Sequence, residues 1–256
     1  MSAQYFINDG LRLAYSDSGQ GSPVLLIHGF ASNMKVNWFD TGWVDFLIEN
    51  GRRVICFDHR GHGQSDAPHD PKLYEPRLMA NDAVALLDHL DIKRADVMGY
   101  SMGARVSAFF ALNAPQRMCS LILGGIGAGL HSGIRDPQFI IDALEAPSLA
   151  DVNTQKGRMF RAFAEQTKSD LKALAACMSA EGRNVIKDEL AKIDLPVLIA
   201  AGTTDDIAGD VRELAKLIPN AEVLDIVGRD HMRAVGDRQY KDGVIRFWDS
   251  LPPCKE

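Results

Sequence analysis

Asp96-Val97-Met98-Gly99-Tyr100-Ser101-Met102-Gly103-Ala104-Arg105 is the stretch on which the reading of this chain turns. An apolar run ends in G-x-S-x-G and passes at once into helix-forming sequence, with Ala104, Val106, Ala108, Phe109, Ala111 and Leu112. Strand, sharp turn, helix is the setting in which a serine becomes a nucleophile. Gly99 and Gly103 flank Ser101 at minus two and plus two. Small residues there let strand and helix pass closely while Ser101 takes a strained backbone with positive φ. Its hydroxyl then projects from the sheet's carboxyl edge, at a helix N-terminus whose partial positive charge favours a developing anion. The pentapeptide alone reads more readily as a structural turn, so the rest of the chain must supply its partners.

Working outward, strand and helix patterns alternate on both sides of the serine, which predicts a mostly parallel α/β sheet covered on both faces. Upstream, residues 4–16 read as a hairpin turning at Asn8-Asp9-Gly10. Pro23–Ile27 and Arg53–Phe57 are continuous apolar runs, as expected of strands buried on both faces. They empty into His28-Gly29-Phe30 and into Asp58-His59-Arg60-Gly61-His62-Gly63-Gln64-Ser65. Helical spacing covers 43–50 and 78–90. Downstream, Ser120–Leu123 is another strand, after which five glycines between Gly124 and Gly133 break the rhythm. Residues 135–190 then read almost wholly as helix, too long for an ordinary crossover. We take them as a helical cap over the sheet's carboxyl edge, with Met159, Phe160 and Phe163 divided between cap core and pocket wall. Strands resume at 195–201 and 221–227, the first followed by Gly202-Thr203-Thr204-Asp205-Asp206 and the second by Gly228-Arg229-Asp230-His231. A helix over 237–251 closes the chain.

The 256 residues suit one α/β domain with an excursion: 1–125 and 191–256 as the core, 126–190 as the inserted cap. A hydrophobic share of 46% with 24% charged residues is ordinary for a globular protein, and a net charge of -6 argues against a nucleic-acid surface. Cys56, Cys119, Cys177 and Cys254 show no metal spacing, and Cys56 reads as a small buried hydrophobe rather than a disulfide partner. With no apolar leader and no run of about 20 apolar residues, the expectation is a cytoplasmic protein without membrane partner.

Acyl transfer needs a nucleophile, a base, a group to orient the base, and oxyanion donors. Ser101, Asp205 and His231 each follow a run read as a strand, so parallel topology brings them to one edge. Their order, Ser then Asp then His, is one of the known orders for this relay.

At this point the sequence resembles the α/β-hydrolase fold family over essentially its whole length. The resemblance is carried by His28-Gly29-Phe30, Asp58-x-Arg60-Gly61-x-Gly63-x-Ser65, Gly99-Tyr100-Ser101-Met102-Gly103, Gly202-x-x-Asp205 and His231. It implies an eight-stranded sheet and assigns roles: Ser101 nucleophile, His231 base and then acid, Asp205 its orienting carboxylate. The oxyanion hole would be the amides of Phe30 and Met102. Asp206 is a rival for the acid, although the family spacing falls on Asp205. Asp230 stands where many members of that family have glycine, placing beside His231 a carboxylate of the kind that raises an imidazole's pKa. His28 and His62 read as structural, and His69 with Asp70 as loop rather than metal site. No cofactor or metal is implied.

Ser101 at the elbow argues against the dehalogenases and epoxide hydrolases of this fold, which carry aspartate there. The chain looks like the small serine carboxylesterases, enol-lactonases and cofactor-free haloperoxidases. The expected partner is a small ester or lactone. C–C bond hydrolysis by the same triad, or ligand binding without turnover, are the alternatives; C–C hydrolases usually carry a more glycine-rich loop after His-Gly. The oligomeric state is not legible.

Overall fold

In the computed structural model, which describes residues 3–133, 136–182 and 184–254, the opening hairpin forms from β1 (Gln4–Asn8) and β2 (Leu11–Gly19). Asp9 and Gly10 both have positive φ, 49° and 75°, the two-residue turn that matches the strands' right-handed twist. β2 runs past the expected end at Ser16 because Asp17 to Gly19 pair with the next sheet strand, where Arg53 forks onto Asp17.

There follow β3 (Ser22–Ile27), α1 (Trp43–Glu49), β4 (Arg52–Phe57), α2 (Pro76–His89), β5 (Ala95–Tyr100), α3 (Met102–Asn113) and β6 (Met118–Gly124). The continuous apolar run of β3 is explained by its two faces. Leu25 and Ile27 lie in one apolar core with α2 and α3, and Val24 and Leu26 in another with Trp43 and Tyr240, all fully buried.

Between β6 and the next strand the chain places only helices among the described residues: α4 (Gly129–Ser132), α5 (Gln138–Glu145), α6 (Gln155–Gln166), α7 (Leu171–Ser179) and α8 (Lys187–Leu190). The near-continuous helix expected over 135–190 is therefore corrected to short pieces; its first residue, Arg135, lies outside the described residues. Pro147 disfavours helix at Ala146, which is extended with ψ 143° and ends α5. Thr154 and Asp170 then restart the chain by capping α6 and α7 with their side chains. Ile140, Leu144, Ala164, Leu174 and Met178 give this excursion a small core of its own.

The sheet resumes with β7 (Val197–Gly202), α9 (Val211–Ala215), β8 (Ala221–Ile226), α10 (His231–Ala234) and α11 (Arg238–Asp249). The order across the sheet is β1-β2-β4-β3-β5-β6-β7-β8, with β1 and β2 antiparallel and the other six strands parallel. The carboxyl ends of β3, β5, β7 and β8 thus open on one edge.

Cys56 is buried and free as expected, but Cys119 and Cys254 are joined as a disulfide, with Cα atoms 5.6 Å apart and 135 residues between them in sequence. Spacing could not reveal this pair, because α11 returns the chain end to the start of β6. Disulfides are rare in the cytosol, so the pair pulls against the cytoplasmic expectation. Among the described residues no helix is long and apolar enough to cross a membrane.

Candidate active site

Ser101 sits between β5 and α3 with φ 55° and ψ -114°, a strained conformation for a residue with a side chain. The neighbours explain how the turn closes. A Cβ on Gly99 would strike the Gly103 carbonyl and the Ser107 hydroxyl, and one on Gly103 would overlap the Ile27 carbonyl. Both positions admit only glycine, and the side chain between them is left facing the cavity.

Ser101, Asp205 and His231 are brought together. Ser101 Oγ lies 3.0 Å from His231 Nε2, and His231 Nδ1 lies 2.7 Å from Asp205 Oδ2. The other oxygen of Asp205 accepts from the amides of Ile207 (2.9 Å) and Ala208 (3.0 Å), and its side chain is fully buried. An acceptor-only carboxylate of this kind fixes the proton on Nδ1, so Nε2 is left to accept from the serine. Gly202 allows the crossing, since a Cβ there would strike the Arg229 carbonyl.

Asp206, the rival carboxylate, turns away from His231. Its carboxylate is exposed and pairs with Lys156 of α6 at 3.0 Å, and that partner holds it below the usual carboxylate range. Asp230 spends its carboxylate on the N-terminus of α10, accepting from the Arg233 amide at 2.9 Å. His69 and Asp70 also part ways. His69 lies 3.0 Å from Asp170, and Asp70 caps a one-turn 3₁₀ helix at Pro71–Tyr74.

Phe30 and Met102 both line the cavity beside Ser101. Met102 opens α3, so its amide is among those without an intrahelical acceptor. The Phe30 loop comes close because residue 29 is glycine: a Cβ there would lie 3.2 Å from the Tyr100 carbonyl and 3.4 Å from Ser101 Cβ. Asn37 Oδ1 accepts from the Gly29 amide (3.1 Å), and Thr167 at the end of α6 donates to the Ala31 carbonyl (2.8 Å). Sequence reasoning missed both braces, one from eight residues downstream and the other from the far end of α6, 136 residues away.

Beneath this loop His28, His59 and His62 form a fully buried cluster. His28 Nε2 accepts from the His59 amide at 3.0 Å. Burial pushes His28 down to about 3 and His62 down to about 4, and His59 well below the usual range, so all three are neutral. The neighbouring Arg60 is fully buried and forks onto Asp82 (2.7 and 2.6 Å). Burial opposes its charge, but the bonds and charge of Asp82 overcome this and push the guanidinium up. The structural reading of the Asp58–Ser65 loop is thereby given a physical basis: Asp58 accepts from the amides of Met34 and Gln64, and Ser65 donates to the Asp58 carbonyl.

The cavity holds about 380 Å³, within the usual range for small-molecule sites. Met159, Phe160 and Phe163 all line it. Phe160 and Phe163 also pack against the core of the excursion, so for those two the structure shows both cap core and pocket wall, whereas Met159 is 40% exposed and lines the cavity only. Arg105 reaches the lining too, its guanidinium bonded to the Gly129 and Leu130 carbonyls. Elsewhere Asp96, Cys119 and Cys254 bring potential metal-ligand atoms together. The sulfurs are bonded to each other, and Asp96 pairs with Arg52 and accepts from Ser120.

A family model described as the alpha/beta hydrolase fold matches residues 22–175. The chain belongs to that family. Among alpha/beta hydrolases it is similar to the non-heme chloroperoxidase CPO-A1 of Kitasatospora aureofaciens, 26% identical over 90% of this chain and 93% of the relative. It is 29% identical to the 2-hydroxymuconate semialdehyde hydrolase of a Pseudomonas species, over 78% of this chain and 62% of that protein. Among solved structures, Est816, described as an N-acyl homoserine lactone degrading enzyme, superposes with a TM-score of 0.75 at 26% identity, covering 95% and 99% of the two chains.

Proposed function

We propose that this alpha/beta hydrolase cleaves a small carboxylic ester or lactone through an acyl-enzyme. The observation that carries the reading is the relay of Ser101, His231 and Asp205, at 3.0 and 2.7 Å, opening on an apolar cavity. Ser101 Oγ attacks the carbonyl carbon as its proton passes to His231 Nε2. The carbonyl oxygen becomes an anion facing the amides of Phe30 and Met102, each such donor being worth about 3 kcal/mol of barrier. Collapse breaks the bond to the leaving oxygen, which takes the proton from Nε2. Water then repeats the sequence on the acyl-enzyme and frees the acid. Asp205 holds the imidazole in its tautomer and stabilises its cation. No step calls on a cofactor.

Est816, a lactone-degrading protein, supports the ester or lactone class. The semialdehyde hydrolase favours a second reading, C–C bond hydrolysis by the same relay. The single-glycine His28-Gly29-Phe30 loop weighs for the ester. Steady hydrolysis of short p-nitrophenyl esters, reduced about 10⁶-fold in Ser101→Ala, tests the proposal. A stoichiometric burst without turnover would instead identify a ligand-binding member of the fold.

A further inference from the structure

At the amino ends of β5 and β6, on the opposite edge of the sheet from Ser101, the two strands pair out of step. Ala95 faces Met118 and Asp96 faces Ser120, so Cys119 is one residue extra on β6. Such a bulge re-aims side chains. In a regular strand Cys119 and Ser120 would point to opposite faces; here both reach Asp96. Ser120 Oγ donates to Asp96 Oδ1 at 2.6 Å. The sulfurs of Cys119 and Cys254 and a carboxylate oxygen of Asp96 lie within 4.8 Å of one another, the one such group of three among the described residues. Asp96 is buried and held from behind. Ser120 accepts in turn from Trp248 Nε1 at 3.0 Å, and Arg52 pairs with Asp96 while its guanidinium lies 4.5 Å from the Trp248 ring.

We propose that this cluster is a zinc site in the reduced protein, with Cys119, Cys254 and Asp96 as ligands and water as the fourth. One cradle then holds either a disulfide or a metal ion. Thiolate and carboxylate are ligands of tetrahedral zinc, and bonds of about 2.3 Å to sulfur and 2.1 Å to oxygen set such atoms about 3.6–3.8 Å apart. That spacing falls within the separations seen here. Cys119 is fixed in β6, whereas Cys254 follows α11 outside any helix or strand and so adjusts. Charge balances as well. Two thiolates, one carboxylate and Zn²⁺ sum to one negative charge, which the Arg52 guanidinium beside Asp96 cancels. Ser120 and Arg52 are outer partners of the kind that orient a ligating carboxylate, and its two oxygens have lone pairs enough for both and for the metal. The exchange is simple. A dithiol reductant gives two electrons and two hydrogens to the S–S bond and itself becomes a disulfide; Zn²⁺ then displaces the two thiol protons into water. Cys56 does not compete, because it is buried and burial pushes its thiol far up. The clasp ties the segment after α11 to β5 and β6 in either state. In a reducing compartment, where an S–S bond is rare, zinc takes its place.

Zinc chloride titrated against a chromophoric chelator tests this on the intact protein, oxidised or reduced with a phosphine that is then removed. The reduced chain should take up a single equivalent and the oxidised chain none, and cadmium should give the reduced chain a thiolate charge-transfer band. Zinc should also restore the melting temperature lost on reduction. Cys254→Ser should abolish uptake. Ser120→Ala should weaken it about 10–100-fold and Asp96→Asn at least as much, the serine variant serving if the aspartate one does not fold. No stoichiometric uptake by the reduced chain, equal uptake by the oxidised chain, or an affinity unmoved by Cys254→Ser or by both Asp96→Asn and Ser120→Ala overturns the site. A melting temperature that zinc leaves low overturns the clasp.

Discussion

The Tyr100 hydroxyl donates a hydrogen bond of 2.6 Å to the main-chain carbonyl of His231. Tyr100 immediately precedes Ser101, so the turn that aims the serine also grips the backbone of the imidazole that faces it. Burial, reinforced by the carboxylate of Asp205, pushes the phenol's pKa far up and keeps it a donor. Tyr100→Phe should lower kcat about tenfold with little change in KM, because the loss is one of alignment. It should also cost about 1–3 kcal/mol in stability, because a buried carbonyl loses its partner. Unchanged kcat and unchanged urea midpoint would show that the bond positions nothing.

Strain at the elbow predicts a trade of activity for stability. Ser101 has φ 55°, which glycine adopts freely and serine does not. Ser101→Gly should raise the unfolding free energy by about 1 kcal/mol or more while abolishing ester turnover. Chemical denaturation of wild type, Ser101→Gly and Ser101→Ala separates relief of strain from loss of the hydroxyl. Equal stability of the glycine and alanine variants would refute the strain.

The buried histidines set the acid limit. In the unfolded chain each titrates near ~6.5, whereas in the fold His28 is pushed down to about 3 and His62 to about 4. The unfolded state therefore binds more protons between those values. The stability contributed by neutral burial is complete above pH ~6.5 and is lost as pH falls. Each histidine should add a slope of about 1.4 kcal/mol per pH unit across that window. Asp58, raised by burial, offsets part of this near the bottom of the window. Urea midpoints at pH 7, 6, 5 and 4 should decline progressively, and His62→Gln, if it folds, should flatten the decline. A constant midpoint down to pH 4 would contradict neutral burial.

Removing the bond between Cys119 and Cys254 should cost about 2–4 kcal/mol, since it closes a long loop in the unfolded chain. Cys254→Ser and dithiothreitol should lower the melting temperature alike, and the reductant should leave the variant unchanged. A wild-type melting temperature insensitive to reductant would exclude the disulfide.

Much of the site was legible before any coordinates. A doubly buried strand must be apolar throughout, so β3, β4 and β5 announce themselves. A turn this tight must have Gly99 and Gly103, so Ser101 is marked by what surrounds it. What could not be read locally are contacts between residues far apart in the chain. Asp205 and Asp206 are neighbours of one type, and only the path of the loop sends one to His231 and the other to Lys156. Phe160 and Phe163 present the same pattern whether they fill a core or wall a cavity; here they do both. The helical breaks near Pro147, Thr154 and Asp170 rest on a proline and on two side chains that cap the helices after them, which apolar spacing does not show.

By itself, then, the sequence determined the strands, the elbow and the order of the three polar groups, because short-range sterics and hydrophobic periodicity are written residue by residue. The tertiary structure alone decided that Tyr100 holds the main chain of His231, that Asp206 turns to Lys156 and that Cys254 reaches Cys119. Each of those depends on a distance between segments that only packing sets.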